Sequence, residues 1–359
     1  MAITELDIGG AERAFVRVAI GLSVRGWDVR VISLRDAGSL SEELRQSGIE
    51  VTALGCGGFL DIRAVWRMRQ VLRQQLPGVL LTFLHQANIV GRIAGRLAGV
   101  RRIVCSVRVA DRRWSVGIPE RLTSCCVDHY VAVSQSVADV HARLCGLPHD
   151  RISVIHNGVD VKAIDAAATI DRTQLGCLDD DFIIVCVGRL TEQKSPDDVL
   201  SAMCGLMKIQ PGLRHRIKLV FVGDGPLQPA LEQRIRDEGL QDSVRLLGHR
   251  ADVVSIMKAA DVLVLASRWE GLPNVILEAQ AAGLPVIAAS VDGVRELIVD
   301  RQTGRLFSVG DVRQLAGILA EHLQSPDASL TTIAAAREQV SRQFRWEECV
   351  DGFENAMLQ

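Results

Sequence analysis

Short apolar runs alternate with amphipathic stretches from one end of the chain to the other. In the first half the runs are VRVISL (29–34), GVLLTFL (78–84), RIVCSV (102–107), YVAVS (130–134) and ISVIHNG (152–158). In the second half they are FIIVCVG (182–188), IKLVFVG (217–223), VRLLG (244–248), DVLVLAS (261–267) and PVIAAS (285–290). They are rich in Val and Ile and lack strict alternation, the pattern of parallel strands buried on both faces. Between them apolar residues recur at helical spacing, as in Ala11, Phe15, Val18, Ala19 and Leu22. Strand–helix alternation repeated this often predicts a doubly wound α/β fold. Ten runs exceed one ordinary sheet, and a break near HNGVD (156–160) divides them five and five. Two Rossmann-like domains facing a cleft are expected, residues 1–158 and 159–340.

Composition narrows the class. The chain has 359 residues, 48% hydrophobic and 23% charged, a well-packed globular profile. Its nine cysteines form no CxxC pair and no Cys/His cluster at zinc spacing, and Cys125 and Cys126 are adjacent. Reduced thiols in a cytoplasmic protein are the simplest reading. No apolar run reaches the roughly 18 residues of a membrane-spanning helix. The start, MAITELDIGG, lacks the basic and apolar segments of a secretory signal.

Charge is unevenly divided. Residues 1–160 hold 20 Arg, no Lys and 15 acidic groups, a net +5, while the remainder carries −7. A basic first half suits an anionic partner such as a phospholipid surface, a lipid-linked phosphate or nucleic acid. The alternative is a solvated arginine-rich surface. Weak contact with anionic membranes is expected through Arg63, Arg67 and Arg73 on one helix and Arg112 and Arg113 in a loop.

In doubly wound domains, ligands sit where strand ends run into helix starts. Six loops fall there: GGAER (9–13), LHQAN (84–88), GRLTEQK (188–194), GDGPL (223–227), GHR (248–250) and SRWEGLPN (267–274). Gly9 and Gly10 let a backbone approach a ligand, and the N–H groups behind them favour an anion. A merely tight turn would also use two glycines. Neither GxGxxG nor GxxxxGK[ST] occurs, which removes support for dinucleotide and P-loop readings. Arg189 and Lys194 put two cations in one loop, suited to a diphosphate, with an ordinary loop ion pair as the alternative. Glu270 and Glu278 stand eight positions apart around Pro273, a residue suited to a helix start. Leu272, Asn274 and Val275 offer helix-start N–H groups. Glu278, a turn further in, can accept from vicinal hydroxyls as acids do with ribose, while Glu270 reaches the other end of the ligand. A glutamate that only favours the helix dipole fits the spacing equally well. Asp179–Asp181 contain the DxD spacing of metal-dependent sugar transferases, but they precede a strand, at the end away from the ligand.

GGAER, VGRLTEQKSPDDVL, FVGDGPL and SRWEGLPNVILEAQAAGLPVIAAS, in this order, resemble the retaining family 4 glycosyltransferases of the GT-B fold. The likeness spans essentially the whole chain, and its last segment is highly specific. It implies that Glu270 and Glu278 form the family's E-x7-E motif, Glu270 on the transferred sugar and Glu278 on the ribose. Arg189 and Lys194 would bind the donor diphosphate, close to Gly10 and beside Gly9, Gly223, Gly271 and Leu272. His249 and Arg250 would flank the base. HNGVD resembles the interdomain linker, and FRWEECVDGFENAMLQ (344–359), within the last segment 341–359, resembles the helix that crosses back to the first domain. Many relatives carry a histidine after the strand equivalent to RIVCSV, facing the sugar, where this chain has Arg108; His85 is a second acceptor-side candidate. Only ITELDI precedes Gly9, so the natural chain is expected to start upstream of Met1.

The expected activity is transfer of a hexose from a nucleotide-diphosphate sugar to an acceptor hydroxyl with retention, in cell-surface polysaccharide or glycolipid synthesis. The acceptor would be a glycan or lipid-linked. No metal, further cofactor or nucleic acid is implied, and a cytoplasmic chain at the inner membrane face is expected. The alternatives are a non-catalytic sugar-nucleotide-binding scaffold and a nucleotide-sugar epimerase.

Overall fold

The computed structural model describes residues 1–57, 61–109, 114–325 and 329–358. Its contacts divide the chain into two compact units, Met1–Gly158 with Trp346–Gln359, and Val159–Arg345.

The first unit is a seven-stranded sheet of β1 (Ala2–Ile3), β2 (Arg30–Ser33), β3 (Glu50–Ala53), β4 (Val79–Phe83), β5 (Arg102–Val107), β6 (His129–Ala132) and β7 (Ile152–Val154). Its order is 3-2-1-4-5-6-7 and every pairing is parallel. β1 is central but spans two residues, pairing Ala2 with Ile32 and Thr82, and Ile3 with Ser33 and Phe83. The second unit is a six-stranded parallel sheet of β8 (Phe182–Val187), β9 (Ile217–Val222), β10 (Val244–Leu246), β11 (Val262–Leu265), β12 (Val286–Ala289) and β13 (Arg305–Phe307). Its order is 10-9-8-11-12-13.

All ten apolar runs are strands. β1, β3 and β13 are not among them, for two reasons. β3 (EVTA) and β13 (RLF) are edge strands with mostly half-buried or exposed residues, so no continuous apolar run marks them. β1 is too short to show a pattern.

Helices cover both faces of the first sheet. On one face the helix Gly10–Val24 buries Phe15, Val18, Ala19 and Leu22 against the sheet. The C-terminal helix Trp346–Leu358 adds Phe353, stacked on Phe83 at 5.4 Å, while Phe15 meets Phe83 edge-on at 5.2 Å. Truncating Phe353 to Ala would cost about 3–5 kcal/mol. On the other face the helices Arg63–Gln75 and His85–Ala98 bury Met68, Leu72, Val90 and Ala94. In the second unit the helix Leu330–Gln343 buries Ala336 and Val340. The Val159 N–H donates to Phe344 O at 2.8 Å, tying the start of that unit to its end. No helix among the described residues is long and apolar enough to cross a membrane.

Candidate functional site

The strand ends of the second unit carry a continuous rim of loops, and glycines decide how closely these approach. After β8, Gly188 has φ 148°. After β9, a Cβ on Gly223 would meet Gly188 O at 2.2 Å, and one on Gly225 would meet Leu190 O at 2.4 Å. Both glycines have positive φ, so nothing larger fits. Backbone bonds lock the contact: Leu190 N–H to Asp224 O at 2.7 Å and Gly223 N–H to Gly248 O at 2.8 Å. Exposed His249 follows Gly248 directly. Arg250, expected near the base, donates from Nε and Nη2 to the two carboxylate oxygens of Asp252, at 2.8 and 2.6 Å. These hydrogen bonds raise the arginine's pKa and hold the Asp252 carboxyl below its usual range. The side chain is therefore committed to its own turn.

The loop after β11 joins the rim through the β8 loop. Arg268 N–H donates to Gln193 O at 2.8 Å, and Gln193 Nε2 to Trp269 O at 2.9 Å. Lys194 Nζ and Ser267 Oγ then converge on Glu270 Oε1, at 2.5 and 2.6 Å. Glu270 is 8% exposed and the Lys194 side chain 21%. Among the described residues Glu270 Oε2 accepts no hydrogen bond, which leaves one carboxylate oxygen for a ligand hydroxyl. The Arg189 side chain is exposed on the same loop and pairs with no carboxylate among the described residues.

The helix Asn274–Ala282 starts immediately beyond, with Pro273 at its N-cap and Gly283, φ 76°, ending it. Asn274 and Val275 open it, where peptide N–H groups point out of the helix end and favour negative charge. Glu278 lies half-buried one turn further in. Gly271 is pinned from behind: a Cβ on Gly293 would meet Gly271 O at 2.0 Å. Ser267, Gln193 and Gly293 escaped the sequence reading. Ser267 had a signal, since a polar residue closing an apolar strand and fully buried needs a partner.

The first unit treats its candidates differently. The helix Gly10–Val24 has Gly9 at its N-cap, but a Cβ there would meet Glu12 Oε2 at 2.1 Å. The chain's own carboxylate thus already stands at this helix start. Arg108 does not point outward from β5. It is buried over the Phe83 ring at 5.3 Å, and its Nη2 donates to Asn157 Oδ1. Burial pulls its pKa down to about 10, so it remains charged at neutral pH. Its Nη1 is buried without a hydrogen-bond partner among the described residues, so the side chain just beyond β5 is held by the Phe83 ring and Asn157 alone. His85 opens the helix His85–Ala98 and shares Glu120 Oε1 at 2.9 Å, while fully buried Arg92 holds Glu120 Oε2 at 2.6 Å. Arg112 and Arg113 lie outside the described residues.

Asp179–Asp181 precede β8, at the end of the sheet opposite the rim. Asp180 O is bound by Arg216, and the Asp181 carboxylate by Leu178 N–H at 2.8 Å. Elsewhere in the first unit, Glu120, His141 and Cys145 bring three donor atoms within 4.8 Å of one another. Arg92, bonded to Glu120, places a full positive charge against a cation there.

Residues 168–339 match the family model of glycosyl transferases group 1, and residues 8–163 that of Glycosyltransferase Family 4. The UDP-Gal:alpha-D-GlcNAc-diphosphoundecaprenol alpha-1,3-galactosyltransferase of Escherichia coli is 31% identical over 264 residues, 70% of this chain and 68% of its own length. The D-inositol 3-phosphate glycosyltransferase of Thermomonospora curvata is 30% identical, over 96% of this chain and 89% of that protein. The relative of the same name from Saccharomonospora viridis is matched over only 54% of its length. Among solved structures, HepE of Anabaena in complex with UDP and glucose superposes with a TM-score of 0.85 at 23% identity, covering 100% of this chain and 99% of that one. That likeness concerns the fold alone. The chain belongs to the glycosyltransferases of the GT-B fold.

Proposed function

We propose that this chain transfers a hexose from a nucleotide-diphosphate sugar to an acceptor hydroxyl with retention at the anomeric carbon. The reading rests above all on Glu270, buried beside Lys194 and Ser267 with one oxygen left to accept a hydroxyl. Glu270 holds the transferred sugar. Lys194, whose ammonium has three donors, keeps one on Glu270 and gives another to the diphosphate. Arg189 and the helix start at Asn274 and Val275 complete the leaving-group site. Glu278 takes the ribose hydroxyls, and the backbone at His249 and Arg250 borders the base.

The step needs no separate base. The bond from the anomeric carbon to the diphosphate oxygen breaks, and the acceptor oxygen bonds to that carbon on the same face. Its proton passes to the departing diphosphate. Charge growing on that diphosphate is what preorganised cations and N–H groups stabilise. A relative named for a UDP-Gal donor and a diphosphoundecaprenol-linked acceptor supports a uridine-diphosphate hexose and a lipid-linked or glycan acceptor here, within cell-surface polysaccharide or glycolipid synthesis. The test incubates the purified chain with a panel of nucleotide hexoses and measures nucleoside-diphosphate release, then reads the product anomer by NMR. Release from no donor, or an inverted product, would sink the proposal.

A further inference from the structure

The first unit buries Arg92 and Arg108 and treats them differently. Arg92 is fully supplied: Glu120 Oε2 at 2.6 Å balances its charge, and Asn88 O and Thr123 Oγ1 accept further N–H groups. Arg108 is 7% exposed, yet it pairs with no carboxylate among the described residues. Its Nη2 donates to the neutral side chain of Asn157, and its Nη1 is buried with no hydrogen-bond partner among them. A second atom shares this condition. Ser106 Oγ is fully buried and has no partner either.

The two side chains stand on one face of the sheet. Directions alternate along β5, so Val104 and Ser106 face the core that holds Phe15 and Phe83, while Ile103 and Cys105 face the opposite core. Ser106 is in register with Phe83, the last residue of β4, and the Arg108 guanidinium lies over the Phe83 ring. Chain order along the sheet, 3-2-1-4-5-6-7, reverses between β1 and β4. Open parallel sheets take ligands beyond their strand ends at such a reversal. Water can satisfy the hydroxyl, but it cannot balance a buried guanidinium, which needs a counter-charge. Glu12, whose charge reaches Arg108, keeps its carboxylate over Gly9 instead. We propose that Arg108 Nη1 and Ser106 Oγ form a subsite for an oxyanion, a carboxylate or phosphate carried by the ligand of the first unit. With the transfer reading above, on which this step rests, that ligand is the acceptor. The acceptor is then a glycan with an acidic sugar or a phosphate-bearing molecule.

Calorimetry on the full chain, without donor, compares methyl glucuronide with methyl glucoside and glucose 6-phosphate with glucose. In at least one pair the charged member should bind about ten- to a hundredfold tighter, the range of hydrogen bonds to charged groups. Which pair shows the preference tells a carboxylate source from a phosphate source. Arg108→Gln should abolish the preference, Arg108→Lys should keep part of it, and Ser106→Ala should reduce it about five-fold. Lys194→Ala should leave it intact. Arg108→Met should unfold in urea no earlier than the parent, because an apolar side chain replaces an unbalanced buried charge. Equal binding within both pairs would overturn the proposal, as would earlier unfolding of Arg108→Met, which marks a purely structural arginine. A preference that survives Arg108→Gln but disappears in Lys194→Ala would also overturn it, placing the oxyanion in the second unit and leaving the transfer reading untouched. A preference that obeys Arg108 in a chain that releases nucleoside diphosphate from no donor would uphold the subsite and sink the transfer reading.

Discussion

Each unit holds a carboxylate beside a cation, and the two pairs do opposite things. In the first unit Glu120 is used up: one oxygen bonds His85 and the other Arg92. Arg92, fully buried, spends further N–H groups on Asn88 O at 2.9 Å and Thr123 Oγ1 at 3.1 Å. Burial alone would raise the Glu120 carboxyl, but His85 and Arg92 together hold it below its usual range. In the second unit both recorded donors crowd onto one oxygen of Glu270, and Lys194 keeps a fifth of its side chain in solvent. A saturated pair orders helices; a half-used pair at a rim can receive a ligand.

The sharpest way to break this comparison is to remove one partner from each pair. Glu120→Leu strands the Arg92 charge in the interior and should cost about 3–5 kcal/mol in urea unfolding. Adding Arg92→Met should restore most of that loss, since a well-packed apolar pair can replace a buried ion pair. Lys194→Ala should cost no more than about 1 kcal/mol, because its ammonium reaches solvent. A double variant as unstable as Glu120→Leu would refute the structural role.

Activity should invert the ranking. Lys194→Ala is expected to lower turnover about a hundred- to thousandfold, the range for losing one preorganised charge partner. Arg189→Ala should do likewise, and the two together should fall short of additivity because both act on one diphosphate. Glu270→Gln should mainly lower kcat, whereas Glu278→Gln should mainly weaken donor binding, since the ribose lies far from the reacting carbon. Equal effects of the two glutamates on binding alone would show that their roles are misassigned.

The sequence revealed what rests on local pattern. Apolar runs located ten strands because a strand buried on both faces writes its environment into consecutive residues. Glu270, Lys194 and the glycine loops were legible because strand ends gather them whatever lies elsewhere in the chain. Direction was not legible. Arg108 follows β5 directly, and no local pattern announces that it packs on Phe83 and donates to Asn157, partners 25 and 49 positions away. Glu120, Arg92, His141 and Cys145 gave no signal either, because three separate helices bring them together.

Acidity should test the first unit's buried cluster next. Burial pushes the His141 imidazole down to about 4, with Glu120 opposing and Arg92 adding to the shift. The folded state thus keeps His141 neutral while the unfolded chain takes up a proton near 6.5. Stability from this group is present above about pH 6.5 and is lost as pH falls towards 4, by up to about 3 kcal/mol. His141→Gln should flatten that part of the unfolding profile. Parallel profiles for variant and parent across this window would exclude His141 as the cause.

The smallest expected effect is none: transfer should proceed unchanged in EDTA. When the sugar–phosphate bond breaks, the diphosphate gains negative charge, and something already in place must meet it. A bound divalent ion acting as Lewis acid is one solution. It needs carboxylates at the strand ends to hold it. In the second unit the carboxylate buried at that rim, Glu270, already has Lys194 on one oxygen, and a cation joining it would face that ammonium at short range. Asp179–Asp181 are at the other end of β8, with Asp181 bound to Leu178 N–H. The cations are instead side chains: Arg189, exposed and unpaired among the described residues, and Lys194, with donors to spare. Helix-start N–H groups at Asn274 and Val275 add to them. Steady-state rates with EDTA and with added magnesium or manganese should therefore coincide. If chelation abolishes turnover and either ion restores it, the diphosphate site is not the one assigned to Arg189 and Lys194.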